Sequence, residues 1–399
     1  MKKKYLLTAI TAILTVCFIR LGMHFLHTDY SSRNIKVGFV YIGDSGTPYT
    51  NNFVRSQKEL EETFPDNVTI IAKYNIPEEK CEPAIRDLIK SGCDLIFATS
   101  YGYGGVMKKC AAEYPEIQFC QATCSNANDE PVLSNYHTFM GTIYQGRYIS
   151  GIVSGMKLRE LIEEKKISPA QAKIGYVAAF PYAEVISGYT AFFLGVRSIV
   201  PEAVMTVGYT NSWSNTTTER KLAEKLIGEG CVVIAQHSDT VGPAVACETA
   251  SMRDNKIVYH VGYNQTMTDV APTTSLVSTR INWTPYILSA TEAVIKEKKI
   301  ESLVKGAVFG NDCGAGFDHG WCEVFGLNKL IAAPGTQEEI DAKIKQFKTK
   351  GIIVFQGDYT GVNPFDPDDT YNLNDPYIEN ALQSAPSFNY VLKDVITVE

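Results

Sequence analysis

The sequence lacks the short motifs that mark metal, nucleotide and serine-hydrolase sites. It contains no C-x-x-C pair and no His/Cys cluster with zinc spacing, so we expect no structural metal. Walker and G-x-S-x-G motifs are missing. The glycine-rich string "GYGGVM" at 102–107 follows a predicted third strand and lacks the last glycine of the dinucleotide fingerprint. We therefore predict a protein without a cofactor.

The sequence also lacks an excess of positive charge and a second long apolar run. Forty-four Asp and Glu face 37 Lys and Arg, which gives a net charge of −7. Five Lys/Arg and one Asp lie within the first 34 residues, so the remainder is more acidic still. An acidic body disfavours nucleic acid as a partner. No apolar stretch beyond residue 34 approaches the length of a membrane-spanning helix.

The N-terminus "MKKKYLLTAITAILTVCFIRLG" places three lysines before an apolar run from Tyr5 to Ile19. This order is typical of an export signal. The string "LTVC" resembles a lipobox with Cys17 as the lipidated residue, although Val16 stands where a small residue is usual. An uncleaved anchor and a buried N-terminal helix are the alternatives. We expect an extracytoplasmic protein held at the cell surface either by lipidated Cys17 or by an uncleaved N-terminal anchor.

Ten cysteines are present, and nine of them follow Cys17. An odd number cannot pair completely within one chain. We expect mostly buried free thiols, with Cys313 and Cys322 as the pair best placed for a disulfide.

Two parts of the chain repeat one another. "LIKSGCDLIFATS" at 88–100 matches "LIGEGCVVIAQHS" at 226–238, and "KVGFVYIG" at 36–43 matches "KIGYVAAF" at 173–180. Each copy alternates short β-branched runs with amphipathic helical patterns, which is typical of parallel sheets covered by helices. We predict an α/β protein with two doubly wound, Rossmann-like parallel-sheet domains and a cleft between them.

The domain boundaries follow from this reading. Residues 1–34 form the leader. We assign residues 35–142 and about 265–300 to the N-terminal lobe, residues 143–264 and about 301–360 to the C-terminal lobe, and residues 361–399 to a C-terminal extension.

The loops that follow the predicted strands are rich in aromatic residues, as in "SYGYGG", "AFPYAE", "TNSWSN" and "GYNQTM". Ligands of open parallel sheets bind at the carboxyl ends of the strands. Trp213 is a candidate stacking surface, with Phe180 or Tyr49 as the facing ring and Tyr101 as a further contact. Ordinary core packing is the alternative for these rings.

Polar side chains in the same loops are candidates for hydrogen bonds to the edges of a ligand: Asp44, Ser100, His237, Asp239, Asn264 and Asn282. Helix capping is the alternative role for Ser100 and Asp239 at such positions. His237 and Asp239 could act as a catalytic base and its orienting group, but residues two apart after a strand rarely face one another. We predict no catalytic residues.

Several strings carry a resemblance to a known family: "VGFVYIGDSGTPY", "DLIFATSYGYGG", "YQGRYISGIVSG", "NSWSNTTTERKLAEKLIGEGCVVIAQHSD" and "RINWTPY". Over roughly residues 35–300 the chain resembles the basic membrane protein family of ABC-transporter substrate-binding lipoproteins, which includes the purine nucleoside receptors. The resemblance implies a type I periplasmic-binding-protein fold and a purine-like ligand. It matches Trp213 to the family's stacking aromatic, and Asp44 and Tyr49 to its first-strand loop.

The chain departs from that family at three positions. Nucleoside-binding members carry Asp where this chain has Asn264 and Lys where it has Asn282, and the related branch has Trp in place of Thr47. We therefore expect a nucleobase or a similar heterocycle as the ligand. The expected protein is a monomeric solute receptor that delivers its ligand to an ABC permease. A ligand sensor for a membrane signalling partner and a nucleoside-processing enzyme are the alternatives.

Overall fold

The computed structural model describes residues 33–399. Cys17 and nearly all of the leader lie outside the described residues, so acylation and anchoring stay predictions. Within the described range no helix combines the length and the apolar character that a membrane crossing needs. The nine cysteines of that range are buried free thiols. The disulfide considered for Cys313 and Cys322 is therefore not formed.

Strands and helices alternate through most of the chain. The strands are β1 (Ile35–Val40), β2 (Val68–Lys73), β3 (Leu95–Ala98), β4 (Gln118–Ala122), β5 (Tyr136–Gly141), β6 (Lys173–Ala178), β7 (Val204–Tyr209), β8 (Val233–His237), β9 (Tyr259–Tyr263), β10 (Ser275–Ile281), β11 (Ala307–Phe309), β12 (Asp312–Ala315), β13 (Cys322–Phe325), β14 (Thr360–Asn363), β15 (Asp366–Asn372), β16 (Val391–Leu392) and β17 (Ile396–Val398). The helices are α1 (Pro48–Thr63), α2 (Cys81–Lys90), α3 (Gly104–Glu113), α4 (Ile143–Glu163), α5 (Ala183–Arg197), α6 (Thr216–Gly228), α7 (Gly242–Asp254), α8 (Thr284–Ile295) and α9 (Thr336–Thr349).

Two seven-stranded sheets form the centres of two lobes within residues 33–399. Their orders are β11-β12-β5-β4-β3-β1-β2 and β13-β10-β9-β8-β6-β7-β17. The central strands are parallel, and β11 and β13 add antiparallel edges. The order β2-β1-β3-β4-β5 in the first lobe equals β7-β6-β8-β9-β10 in the second, as the internal duplication predicts. The predicted α/β class with twin doubly wound sheets is confirmed.

Local sequence explains where many elements begin and end. Strands such as β3, "LIFA", are apolar throughout because both faces of the sheet are covered by helices. Pro48 opens α1, a position that needs no backbone N–H donor. Asn215 caps α6 by accepting a hydrogen bond from the Thr218 amide at 3.0 Å. Helix α7 ends at Asn255, whose φ of 51° lies in the left-handed region.

The chain after β9 crosses between the lobes in a different pattern from the predicted one. Strand β10 pairs with β9 and β13 in the second sheet, so the assignment of about 265–300 to the first lobe is wrong for this strand. Helix α8 does belong to the first lobe, where Tyr286 stacks on Phe139 at 3.8 Å. Strand β12 then pairs with β5 in the first sheet, although it was assigned to the second lobe. The internal duplication explains the position of β10: it is the fifth strand of the second repeat, as β5 is of the first, so it completes the second sheet.

The C-terminal extension is more structured than its sequence indicates. Strands β14, β15 and β16 form a small sheet of their own. Strand β17 pairs with β7 and so becomes the outer edge of the second sheet. The last residues of the chain are therefore part of the second lobe.

Candidate functional site

A cavity lies between the lobes, at the carboxyl ends of their strands. Both lobes contribute to its lining: Ile42, Tyr49, Ser100, Tyr101 and Thr123 from the first, and Glu184, Trp213, Asp239 and Tyr263 from the second. We call this space the inner cavity. Five of the predicted site residues line it: Tyr49, Ser100, Tyr101, Trp213 and Asp239.

Aromatic rings from both lobes meet at this cavity. The Trp213 ring contacts Phe180 edge to face, with ring centroids 5.4 Å apart. Phe180 in turn stacks on Tyr182 at 5.3 Å. The ring centroids of Tyr182 and of Tyr101, which belongs to the first lobe, are 5.9 Å apart. Phe180, predicted as a ring facing Trp213 across the ligand, does not line the inner cavity and packs against Trp213 and Tyr182 of its own lobe.

Tyr49 and Ser100 are held in place by contacts within the first lobe. The Tyr49 hydroxyl donates to the carbonyl of Thr99, and the Tyr49 ring packs edge to face on Phe53 at 5.3 Å. Burial holds the pKa of Tyr49 well above its usual value. The Ser100 hydroxyl donates to Glu78 at 2.6 Å. Both side chains thus reach the cavity in fixed orientations.

Asp239 is a buried carboxyl group that lines the inner cavity. Its backbone amide donates to the Trp213 carbonyl at 2.8 Å, which ties the two loops together. Glu219 of α6 accepts hydrogen bonds from Ser238 and Thr240 on either side of Asp239, both within 2.8 Å. Burial raises the pKa of Asp239 to about 8. Asp239 is therefore largely protonated near neutral pH and has an O–H to donate.

Asn264 connects the lobes beside the inner cavity instead of lining it. Its amide donates to Asp239 Oδ1 at 2.8 Å. Its Oδ1 accepts from Asn52 of α1, in the other lobe, at 3.0 Å. Asn264 thus links Asp239 of the second lobe to α1 of the first lobe.

The structure places Asp44 and Asn282 away from the cavity lining. Asp44 is exposed, and its Oδ1 accepts the Gly46 amide at 2.9 Å, as in a turn. Asn282 accepts the Thr284 amide at 3.2 Å at the start of α8 and donates to the Gly320 carbonyl. Both side chains are therefore bonded to nearby backbone and do not line the inner cavity.

His237 lies beneath the cavity, with no exposed surface. Its ring packs edge to face on Tyr263 at 4.8 Å. Its Nε2 lies 3.5 Å from Glu184 Oε1, at the outer limit of a hydrogen bond. Burial, with the nearby Arg147 charge, lowers the pKa of His237 to about 4. The ring is therefore neutral at physiological pH and supports Tyr263.

Sequence reasoning missed Ile42, Thr123, Glu184 and Tyr263 as lining residues. Glu184 and Tyr263 do lie in the quoted loops "AFPYAE" and "GYNQTM", so placement after a strand was a usable signal. Arg147 was also missed. It is fully buried, and its guanidinium lies 4.0 Å from the centroid of the Tyr263 ring. Only the packed structure brings this charge beneath the cavity.

The described residues offer aromatic faces, hydroxyl groups and two carboxyl groups at one cavity. Among residues 33–399 there is no group of three His, Cys, Asp or Glu side chains that could hold a metal ion. This arrangement suits reversible binding of a flat molecule with polar edges.

Residues 35–353 match the family model described as ABC transporter substrate-binding protein PnrA-like. The chain belongs to this family. The PnrA-like model spans most of both lobes and ends before β14, so the last 46 residues of the 399 lie beyond it. The resemblance stated from the sequence is thereby confirmed.

Known relatives agree with this assignment. The chain is 31% identical over 293 residues to the purine-binding protein BAB2_0673 of Brucella abortus, covering 71% of this chain and 77% of that protein. It is 31% identical over 257 residues to a putative ABC transporter glucose-binding protein, TsgA13, of Haloferax volcanii, covering 64% of this chain and 59% of that protein.

A solved ABC transporter solute-binding protein from Aeropyrum pernix superposes with a TM-score of 0.64 at 15% identity, covering 84% of this chain and 95% of that chain. This likeness shows the two-lobed type I periplasmic-binding-protein fold.

Proposed function

We propose that this substrate-binding protein captures a flat, purine-like ring in the inner cavity and releases it unchanged to an ABC permease. The observation that carries the proposal is the meeting of aromatic rings from both lobes with the buried carboxyl group of Asp239 in one cavity. The purine-binding relative from Brucella abortus supports it. A receptor of this kind works outside the cytoplasm as a monomer.

Recognition in this proposal divides between ring faces and ring edges. Trp213 and Tyr49, one from each lobe, offer aromatic surface to the ligand. A protonated Asp239 presents both an O–H donor and an acceptor oxygen, which complements the adjacent N and N–H groups on the edge of a purine. Ser100 and Thr123 of the first lobe donate their hydroxyl protons within the protein, so their oxygens remain as acceptors for the ligand.

Contacts to both lobes couple binding to closure. A ligand that touches Tyr49 in one lobe and Trp213 in the other binds the closed form more tightly than the open form. That difference in affinity drives the lobes together, and the closed form is the one presented to the permease.

A thermal-shift screen of the purified protein tests the ligand class. Adenine, guanine and hypoxanthine are expected to raise the melting temperature, because a ligand that binds the folded state stabilises it. Glucose belongs in the same screen because of the name of the Haloferax volcanii relative. A shift with glucose and none with any purine would contradict the proposal. Chromatography of the recovered purine should show no product.

Trp213→Ala tests the location of the site. Loss of the stacked ring is expected to weaken purine binding by about 1–3 kcal/mol in calorimetry. Tyr74→Ala is the matched control, because Tyr74 is an aromatic residue of the first lobe that is 40% exposed and does not line the cavity. Equal affinities of the wild type and Trp213→Ala would place the site elsewhere.

A further inference from the structure

A second, larger space, which we call the outer chamber, adjoins the inner cavity. The two share Tyr101, Thr123, Glu184 and Trp213 as lining residues. The outer chamber is therefore the space next to the inner cavity in which a substituent on a bound ring would be placed.

The C-terminal extension builds one wall of the outer chamber. Phe365, Ala385 and Pro386 line it together with Met140, Pro181 and Tyr182 of the two lobes. The extension lies beyond the residues that match the family model, which end at 353. The wall is thus an addition to the part of the chain that defines the family.

Two buried carboxyl groups fix this wall to both lobes. Asp312 of β12, in the first lobe, accepts the Ser384 amide and hydroxyl, each at 2.6 Å. Glu379 of the extension accepts the Ser187 hydroxyl of α5, in the second lobe, at 2.7 Å. Asp312 is 0% exposed and Glu379 is 6% exposed. Because buried carboxylates need such partners, the segment between them is held in one position.

Exposed aromatic rings surround the outer chamber. Phe365 is 65% exposed, Tyr101 is 61% exposed and Tyr182 is 47% exposed. Large aromatic surfaces left in water and gathered around one opening are typical of a binding site for an apolar group. Pro181, Pro386 and Met140 extend this apolar surface into the chamber.

Charge at the outer chamber is of one sign. Glu184 is its charged lining residue, and no Lys or Arg of residues 33–399 lines it. The amide groups of Gln383 and Asn389 donate within the extension itself, to Ala385 and Asn363. The wall therefore offers mostly apolar contact and no cation for a phosphate or carboxylate.

We propose that the natural ligand carries an apolar substituent, alkyl or aryl, which occupies the outer chamber against Tyr182, Phe365 and Pro386. This inference rests on the proposed function, since it assumes that the flat ring occupies the inner cavity. It makes the extension a specificity element of the receptor.

Calorimetry on the purified protein with adenine, two benzyl-substituted adenines (at N6 and at N9) and adenosine tests the proposal. At least one benzyl compound is expected to bind ten times more tightly than adenine, which is about 1.4 kcal/mol. Adenosine, whose substituent is hydroxylated, is expected to bind no more tightly than adenine.

Phe365→Ala should reduce the benzyl preference to less than threefold and leave adenine affinity within twofold. Leu382→Ala is the matched control, because Leu382 is an apolar residue of the same extension that is 86% exposed and does not line the chamber.

Equal affinities for adenine and both benzyl compounds would overturn this inference and leave the proposed function standing. Tighter binding of adenosine than of either benzyl compound would also overturn it, since the chamber would then accept a hydroxylated group. Failure of all four compounds to bind would contradict the proposed function itself.

Discussion

Asp239 is the buried carboxyl group of the inner cavity whose pKa is most strongly changed by the fold. Its position after β8 could be read from the sequence, together with its possible role as a ligand contact or a cap. Its raised pKa could not be read from the sequence, because burial raises the pKa and the Asn264 hydrogen bond only partly offsets this effect. The position of Arg147 against the Tyr263 ring could not be read from the sequence either, because it depends on packing between distant segments.

Asp239→Asn tests this protonation through the pH dependence of stability. The folded-state pKa of Asp239 is about 8 against a reference value of 3.8, so between these values the folded state holds a proton that the unfolded state has lost. The stability of the wild type relative to Asp239→Asn should therefore be greatest near pH 4 and fall as the pH rises towards 8. Urea unfolding at pH 5, 6.5 and 8 measures the difference. Parallel pH profiles would contradict a buried, protonated Asp239.

At the scale of elements, the packing of α4 against α5 shows what periodicity alone misses. Helix α4 was not assigned from the sequence, because it is buried on most of its surface and lacks an amphipathic stripe. The contact depends on glycine: a Cβ on Gly195 would lie 2.1 Å from the Tyr148 carbonyl oxygen, and one on Gly151 would lie 1.9 Å from that of Phe192. The helix backbones touch directly at these two positions.

Gly195→Ala is expected to destabilise the protein, because a methyl group cannot fit against the α4 backbone without separating the two helices. The expected loss is about 1–3 kcal/mol or more. Gly105→Ala is the control, since no heavy atom lies within 4 Å of the added Cβ in helix α3. That change should be neutral or stabilising by up to about 1 kcal/mol. Thermal melts of both variants decide the matter, and equal melting temperatures would contradict close helix contact.

At the scale of the whole molecule, the two lobes are joined by more than the crossings of the chain. Asn264 and Asn52 join them beside the inner cavity. Ser384, in the extension that is anchored on the second lobe, joins them again at Asp312 of the first. Because these contacts join residues of different lobes, they oppose separation of the lobes in the absence of ligand.

Ser384→Ala is expected to lower stability by about 1–3 kcal/mol, because it removes a hydrogen bond from a fully buried carboxyl group. Ser45→Ala, in the exposed loop after β1, should change stability by less than about 0.5 kcal/mol. Stopped-flow binding should also show faster ligand release from Ser384→Ala, because the variant loses the Ser384 hydroxyl bond to Asp312 that helps to join the lobes. Unchanged stability and release would mean that Asp312 finds another partner.

The sequence by itself determined the fold class, the duplication and the order of most strands and helices, because apolar runs, helix caps and glycine positions act locally. It also placed the aromatic residues after the strands. Tertiary structure decided which lobe β10 and β12 join, since that choice depends on completing two equivalent sheets. It also decided that Asn264 and Asn282 bond to the protein, that burial raises the pKa of Asp239, and that Phe365, Ala385 and Pro386 of the extension line the outer chamber. These outcomes depend on burial and on contacts between segments far apart in the chain, which no local pattern encodes.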